Sequence, residues 1–135
     1  MSSEATLDTT EAMRIAAFRA VIRSFLRTSE RLAREHGLTP RRHLLLLMIK
    51  GAPDGSEQST VTDLSERLQL AQSTVTELVG RAERAGLVAR ERSERDLRVA
   101  HLRLTAEGER RLARSVRGIE HERHELRRRL DELGV

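Results

Sequence analysis

Residues 61–108 read VTDLSERLQLAQSTVTELVGRAERAGLVARERSERDLRVAHLRLTAEG, and this stretch decides the fold. Thr62 reads as an N-cap, because its hydroxyl can accept from the free N–H groups of a first helical turn. Ser65 and Glu66 stand where a capping partner belongs. Leu64 and Leu68 lie on one side of that short helix, which stops near Gln69-Leu70. A second helix starts at Gln72-Ser73. Val75, Leu78, Val79 and Ala82 recur three and four apart, which gives one buried stripe. Gly86 is placed to end it in a left-handed conformation. Leu87–Arg92 and Arg98–Leu104 then read as two strands joined by the turn Ser93-Glu94-Arg95-Asp96.

Two short helices followed by an arginine-rich hairpin form a helix-turn-helix with a wing, a unit that places one helix in a DNA major groove. The second helix opens with Gln72, Ser73, Thr74 and Thr76, groups that donate to and accept from base edges, and its N-terminal dipole favours phosphate. Arg81 and Arg84 stand farther along, better placed for phosphate. Arg90, Arg92, Arg95, Arg98 and Arg103 crowd the hairpin, and arginine suits both phosphate and a narrow minor groove. Glu91, Glu94 and Asp96 dilute that charge, and Glu77 is acidic on the second helix. An ordinary capped surface helix and a salt-bridged solvent hairpin would use the same residue types.

The order of these pieces resembles the MarR (multiple antibiotic resistance regulator) family of winged helix-turn-helix proteins. The family's Asp-x-Arg wing motif has its counterpart in Asp96-Leu97-Arg98, and its Leu-Thr-x-x-Gly exit in Leu104-Thr105-Ala106-Glu107-Gly108. Ser73-Thr74-Val75-Thr76 and Gly86-Leu87-Val88 match the recognition-helix pattern. The resemblance implies a homodimer that binds double-stranded DNA at a pseudo-palindromic operator. It also implies that Arg98 reaches into the minor groove, held by Asp96, with Arg95 at the tip. A transcriptional regulator follows, in the repressor role, relieved by a small anionic or phenolic effector whose pocket residues the sequence does not name.

The rest of the chain fits one mainly α domain. The 135 residues are 38% hydrophobic and 34% charged, with two phenylalanines as the only aromatics and a net charge of +4. An aliphatic helical core this small is often completed by a partner. Residues 10–36 and 106–133 read as dimerisation helices, flanking a winged lobe at 38–104. In the first, Ile15, Phe18, Ile22, Phe25 and Leu32 recur at helical spacing among six arginines, ending at Gly37. Thr39 caps a second helix with Pro40 at its first position. Leu44 through Ile49 is apolar nearly all round and predicts a central buried helix. Gly51–Ser56 is a loop, and residues 58–61 supply a short strand edge to the hairpin, as the resemblance implies. Thr105 caps the last helix, where Leu112, Val116, Ile119, Leu126, Leu130 and Leu133 follow a heptad-like seam; Gly118 marks a bend. Fully helical it would reach roughly 42 Å.

Other functions are disfavoured. The sequence has no cysteine, so thiol redox sensing, disulfides and thiolate metal sites are out. His121 and His124 share a helical face, and with His43 they offer a metal-responsive regulator as an alternative, but no ligand set is fixed and no metal or cofactor is expected. A winged-helix module that binds protein is the other alternative. No phosphate loop, nucleophile elbow or apolar carboxylate pair is present, so no enzyme is expected. Met1–Thr10 is short and polar, and no run approaches membrane-spanning length, so the expectation is a cytoplasmic protein without membrane contact.

Overall fold

The computed structural model describes residues 4–134. The first helix, α1 (Thr9–Glu35), is capped by Asp8, whose carboxylate accepts from the Glu11 N–H. It ends at His36, followed by Gly37 at φ +78°. The second, α2 (Pro40–Lys50), begins on Thr39, whose hydroxyl accepts from the Arg42 N–H at 3.1 Å, with Pro40 in the first turn. A two-residue strand β1 (Gln58–Ser59) leads into α3 (Val61–Leu68) and α4 (Gln72–Arg84). The strands β2 (Val88–Arg92) and β3 (Ala100–Leu104) follow, and α5 (Ala106–Glu132) closes the described chain. The sheet is antiparallel in the order β1-β3-β2, with Ser59 opposite Leu102 and Arg90 opposite the same residue on the other side.

The core lies within the lobe. Leu45, Leu46 and Ile49 of α2, Leu64 of α3, Val75 and Val79 of α4, and Leu87 and Leu102 of the hairpin are all fully buried. This is the stripe expected for α4, and it fixes the helix by one face so that the opposite face stays in solvent.

Five local expectations change. The cap of α3 is Thr60, which accepts from the Asp63 N–H at 3.2 Å; Thr62 lies inside the first turn. The chain offers threonine on both sides of Val61, and the earlier one wins because β1 ends there. Ser65 takes no part in capping; its hydroxyl donates to the Leu70 carbonyl, bracing the turn in which Gln69 takes φ +58°. The α2 helix is buried on one side only, with Leu44 and Leu47 exposed. The hairpin connection is longer than four residues, because β3 starts at Ala100 rather than Arg98. Finally, α5 runs through Gly118 without interruption. A Cβ there would stand 2.7 Å from His36 Nε2, so the glycine admits the His36 ring.

The two long helices pack on each other within the chain, more extensively than any other helix pair. Their burial is nevertheless slight. Ala33 is the only buried residue of α1, and no residue of α5 after Ile119 is buried.

Gly80, in the middle of α4, has no such steric role. A Cβ there would meet only Arg84 Nη1, at an ordinary 3.5 Å. Gly80→Ala is therefore expected to stabilise the lobe by about 0.5–1 kcal/mol, because alanine loses less backbone freedom in a helix. A higher denaturant midpoint checks it.

Candidate nucleic-acid interface

The N-terminus of α4 differs from the other helix starts. Asp8, Thr39, Thr60 and Thr105 each cap their helix with a side-chain oxygen, whereas α4 starts on Ala71 with no side-chain cap. Ser73 and Thr74 are inside the helix and do not cap it. The first N–H groups of α4 therefore point into solvent with the positive end of the helix dipole behind them, an arrangement suited to an anion. Gln72, Ser73 and Thr76 are exposed, and Thr74 is half-buried. The Thr76 hydroxyl donates to the Gln72 carbonyl at 2.9 Å, which leaves its lone pairs outward as an acceptor.

Farther along α4, Arg81 is held by Glu77 at 2.6 Å. Both side chains are well exposed, so the pair is worth little in stability. It explains the acidic residue on this face, since Glu77 orients Arg81 and offsets its charge. Arg84 folds over Gly80 and has no carboxylate within ion-pair distance among the described residues.

The wing arginines divide by partner. Arg90 pairs with Glu83 across to α4 at 2.8 Å, and Arg103 donates to the Ser56 carbonyl and to Gln58 Oε1, tying β3 to β1. Arg92 donates to the Leu97 carbonyl. These three build the hairpin. At its tip, Asp96 Oδ1 accepts from both the Arg98 N–H at 3.0 Å and Arg98 Nε at 3.2 Å. The Arg98 side chain is otherwise 92% exposed, so its terminal nitrogens extend freely into solvent. Ser93 Oγ accepts from the Arg95 and Asp96 N–H groups and shapes the turn. Arg95 is exposed.

Residues 60–104 carry eight arginines against seven carboxylates, so net charge does not mark this face. What marks it is which arginines neither a carboxylate nor a carbonyl oxygen holds: Arg84, Arg95 and the far end of Arg98.

Sequence reasoning missed a buried polar pair behind this interface. His43 Nδ1 and Ser115 Oγ lie 2.8 Å apart, the histidine 6% exposed and the serine fully buried. The pair joins α2 to α5 beside a cavity of about 50 Å³ lined by Leu26, Ser29, Glu30, Ala33, Pro40 and Leu44. Burial disfavours the imidazolium and lowers the His43 pKa. The unfolded chain then binds the proton more readily, so this contribution to stability is complete above about pH 6.5 and declines as pH falls below it. Thermal unfolding at pH 7.5 and 5.5 is expected to show wild type losing stability and His43→Gln changing less. Equal pH dependence in the two would contradict this.

The remaining histidine pair is solvent-facing. His121 and His124 are exposed, with His124 3.9 Å from Glu120, and no cluster of metal-ligating side chains occurs among the described residues. No helix among them is long and apolar enough to cross a membrane.

A helix-turn-helix with an uncapped second helix and an arginine-tipped wing, carried between two long helices, defines the winged helix-turn-helix class. Residues 36–98 match the model of the MarR family. Solved structures share the fold. A MarR family protein from Bacillus stearothermophilus matches with a TM-score of 0.75 at 29% identity, over 87% of this chain and 79% of that one. Sco3205, a MarR family transcriptional regulator from Streptomyces coelicolor solved in complex with DNA, matches at 0.74 and 20% identity, over 93% and 78%. NadR, solved in complex with 4-hydroxyphenylacetate, matches at 0.70 and 22%, over 96% and 86%. No curated protein matches the sequence.

Proposed function

We propose that this chain is a homodimeric, sequence-specific DNA-binding transcriptional repressor. The observation that carries the reading is the uncapped start of α4, with Gln72, Ser73 and Thr76 exposed around it, next in sequence to a wing whose Arg98 is held out by Asp96. Gln72, Ser73, Thr74 and Thr76 meet base edges in the major groove; Arg81 and Arg84 meet phosphate. Arg95 and Arg98 enter the adjacent minor groove, with Asp96 fixing the second of them. The Sco3205 complex supports DNA as the partner.

The dimer rests on unfinished burial. Met13, Ile15 and Leu26 of α1 are 67%, 47% and 53% exposed, and Phe18, Ile22 and Leu26 line an open groove of about 630 Å³. A second copy whose α1 and α5 cover these side chains removes that apolar surface from water. Two recognition helices then address half-sites about one helical turn apart. A small anionic or phenolic effector relieves repression from where α1, α2 and α5 meet; the NadR complex supports the chemical class.

Selection from a random duplex pool tests the reading. Enrichment of an inverted repeat, with binding that weakens steeply as salt rises, is the expected result, because phosphate contacts release counterions. Absence of retention even at low salt would overturn it in favour of a protein-binding winged helix.

A further inference from the structure

The Asp-x-Arg wing motif of this chain has leucine at its middle position. Leu97 is 68% exposed, the highest value among the exposed large apolar side chains. Met13, Ile15 and Leu26 lie on α1, where a second copy accounts for them. Leu97 lies at the wing tip, outside both long helices, and needs another explanation.

Its position is held by hydrogen bonds to the turn backbone rather than by packing. Arg92 Nη1 donates to the Leu97 carbonyl at 3.3 Å. On the two sides, Asp96 Oδ1 accepts from the Arg98 N–H, and the Asp96 carbonyl accepts from the Val99 N–H at 3.0 Å. The Ser93 N–H donates to the Val99 carbonyl at 3.0 Å and closes the loop. An apolar side chain is thus presented to solvent by a fixed turn, next to Arg98 and two residues from Arg95. A phosphate-walled groove drawn to the two guanidinium groups would meet Leu97 between them.

We propose that Leu97 reads the minor groove floor beside each half-site and selects A·T over G·C there; this rests on the DNA-binding reading above. The reason is the guanine N2 amino group. It projects from the floor of the groove at G·C pairs alone, and it is a donor. A leucine laid against it displaces its water and offers no acceptor, so the donor is left unpaired. At A·T pairs the floor has no such group, and the branched side chain fits close to it. Arginine also favours A·T tracts, but through their negative potential, which salt screens. The leucine preference is a contact effect and persists at high salt.

Inosine isolates the amino group, since an inosine·cytosine pair lacks it, and salt together with Leu97→Ala then separates the leucine contact from the arginine preference. The protein is titrated with its selected operator in three forms, with A·T, G·C or inosine·cytosine pairs at the flanks beneath the wings. Wild type is expected to bind the G·C form about tenfold more weakly than the inosine form, at low and at high salt alike. In Leu97→Ala that ratio falls below about threefold, while the preference for the inverted repeat remains. Because the side chain touches solvent, the alanine variant folds as wild type, and circular dichroism verifies it. Equal binding of the G·C and inosine forms by wild type, or the same ratio in wild type and Leu97→Ala, overturns the inference while leaving the regulator reading intact. No binding of any duplex by wild type overturns both.

Discussion

Gly108→Ala is expected to destabilise the protein by about 3 kcal/mol and to lower its melting temperature by about 10 °C. The added methyl group has nowhere to go. A Cβ at position 108 would lie 2.1 Å from the Leu87 carbonyl oxygen, 3.1 Å from its carbon and 3.4 Å from Leu104 Cβ. The obstacle is backbone, and that backbone is itself pinned. The Leu87 carbonyl accepts from the Thr105 N–H at 3.0 Å, and the Thr105 hydroxyl donates to the Gly86 carbonyl at 2.6 Å while accepting from the Gly108 N–H. Leu87 is fully buried, so it cannot retreat outward. Relief requires α5 to lift off the start of β2, which exposes Leu87, Leu102 and Leu104 together. This gives the Leu-Thr-x-x-Gly exit a physical meaning: the threonine caps the helix and grips the strand entry, and the glycine lets the two backbones touch. Gly80→Ala makes the same chemical change with the opposite expected sign, so the pair measured together separates packing from propensity. A melting temperature for Gly108→Ala equal to that of wild type would refute the docking of α5 on Leu87.

What the sequence made legible was local chemistry. Gly37, Thr39-Pro40, Gly86 and Thr105 punctuate the chain where the structure does, because a cap or a left-handed residue acts on its own turn. The α4 stripe was equally plain, since Val75, Val79 and Ala82 alternate with polar residues. Where those signals are degenerate, packing decides the structure. Thr60 and Thr62 are interchangeable as caps until β1 is known to end at Ser59. Leu44 to Ile49 is six apolar residues in a row and carries no phase, so which side of α2 faces the core depends on packing; Leu45, Leu46 and Ile49 turn inward. The other features that escaped are long-range. His43 meets Ser115 across 72 positions. Lys50, the only lysine, bridges Glu57 and Glu109 from two different segments, and those hydrogen bonds raise its pKa. Arg67 Nη1 donates to the Met48 carbonyl at the end of α2. Spacing along the chain encodes none of these. The available face of the candidate interface was unreadable for a related reason: eight arginines compete for seven carboxylates in residues 60–104, and only geometry decides that Arg90 is engaged while Arg84 and Arg95 are not.

Arg98→Ala is expected to weaken operator binding by about 1–3 kcal/mol for each wing engaged. The proposed homodimer would lay down two wings, so the loss would be felt twice at one operator. The Arg98 Nε is held by Asp96 and its terminal nitrogens carry no hydrogen bond among the described residues, so in the proposed complex a planar fork would enter the groove with part of its rotamer freedom already removed. Asp96→Ala leaves the charge in place but removes that restraint and the turn bond to the Arg98 N–H. It should therefore cost less than Arg98→Ala, through lost preorganisation. Arg98→Lys keeps the charge without the fork, and it should restore salt-dependent attraction more fully than affinity. The order of the three variants matters more than any one value. If Arg98 served only the net charge of the protein, the lysine variant would match wild type and Asp96→Ala, which makes the wing more positive, would bind more tightly. Size-exclusion chromatography should show all three at the wild-type oligomeric state, because the wing tip lies outside α1 and α5. Wild-type affinity in Arg98→Ala would remove the wing from the DNA interface and leave recognition to α4 alone.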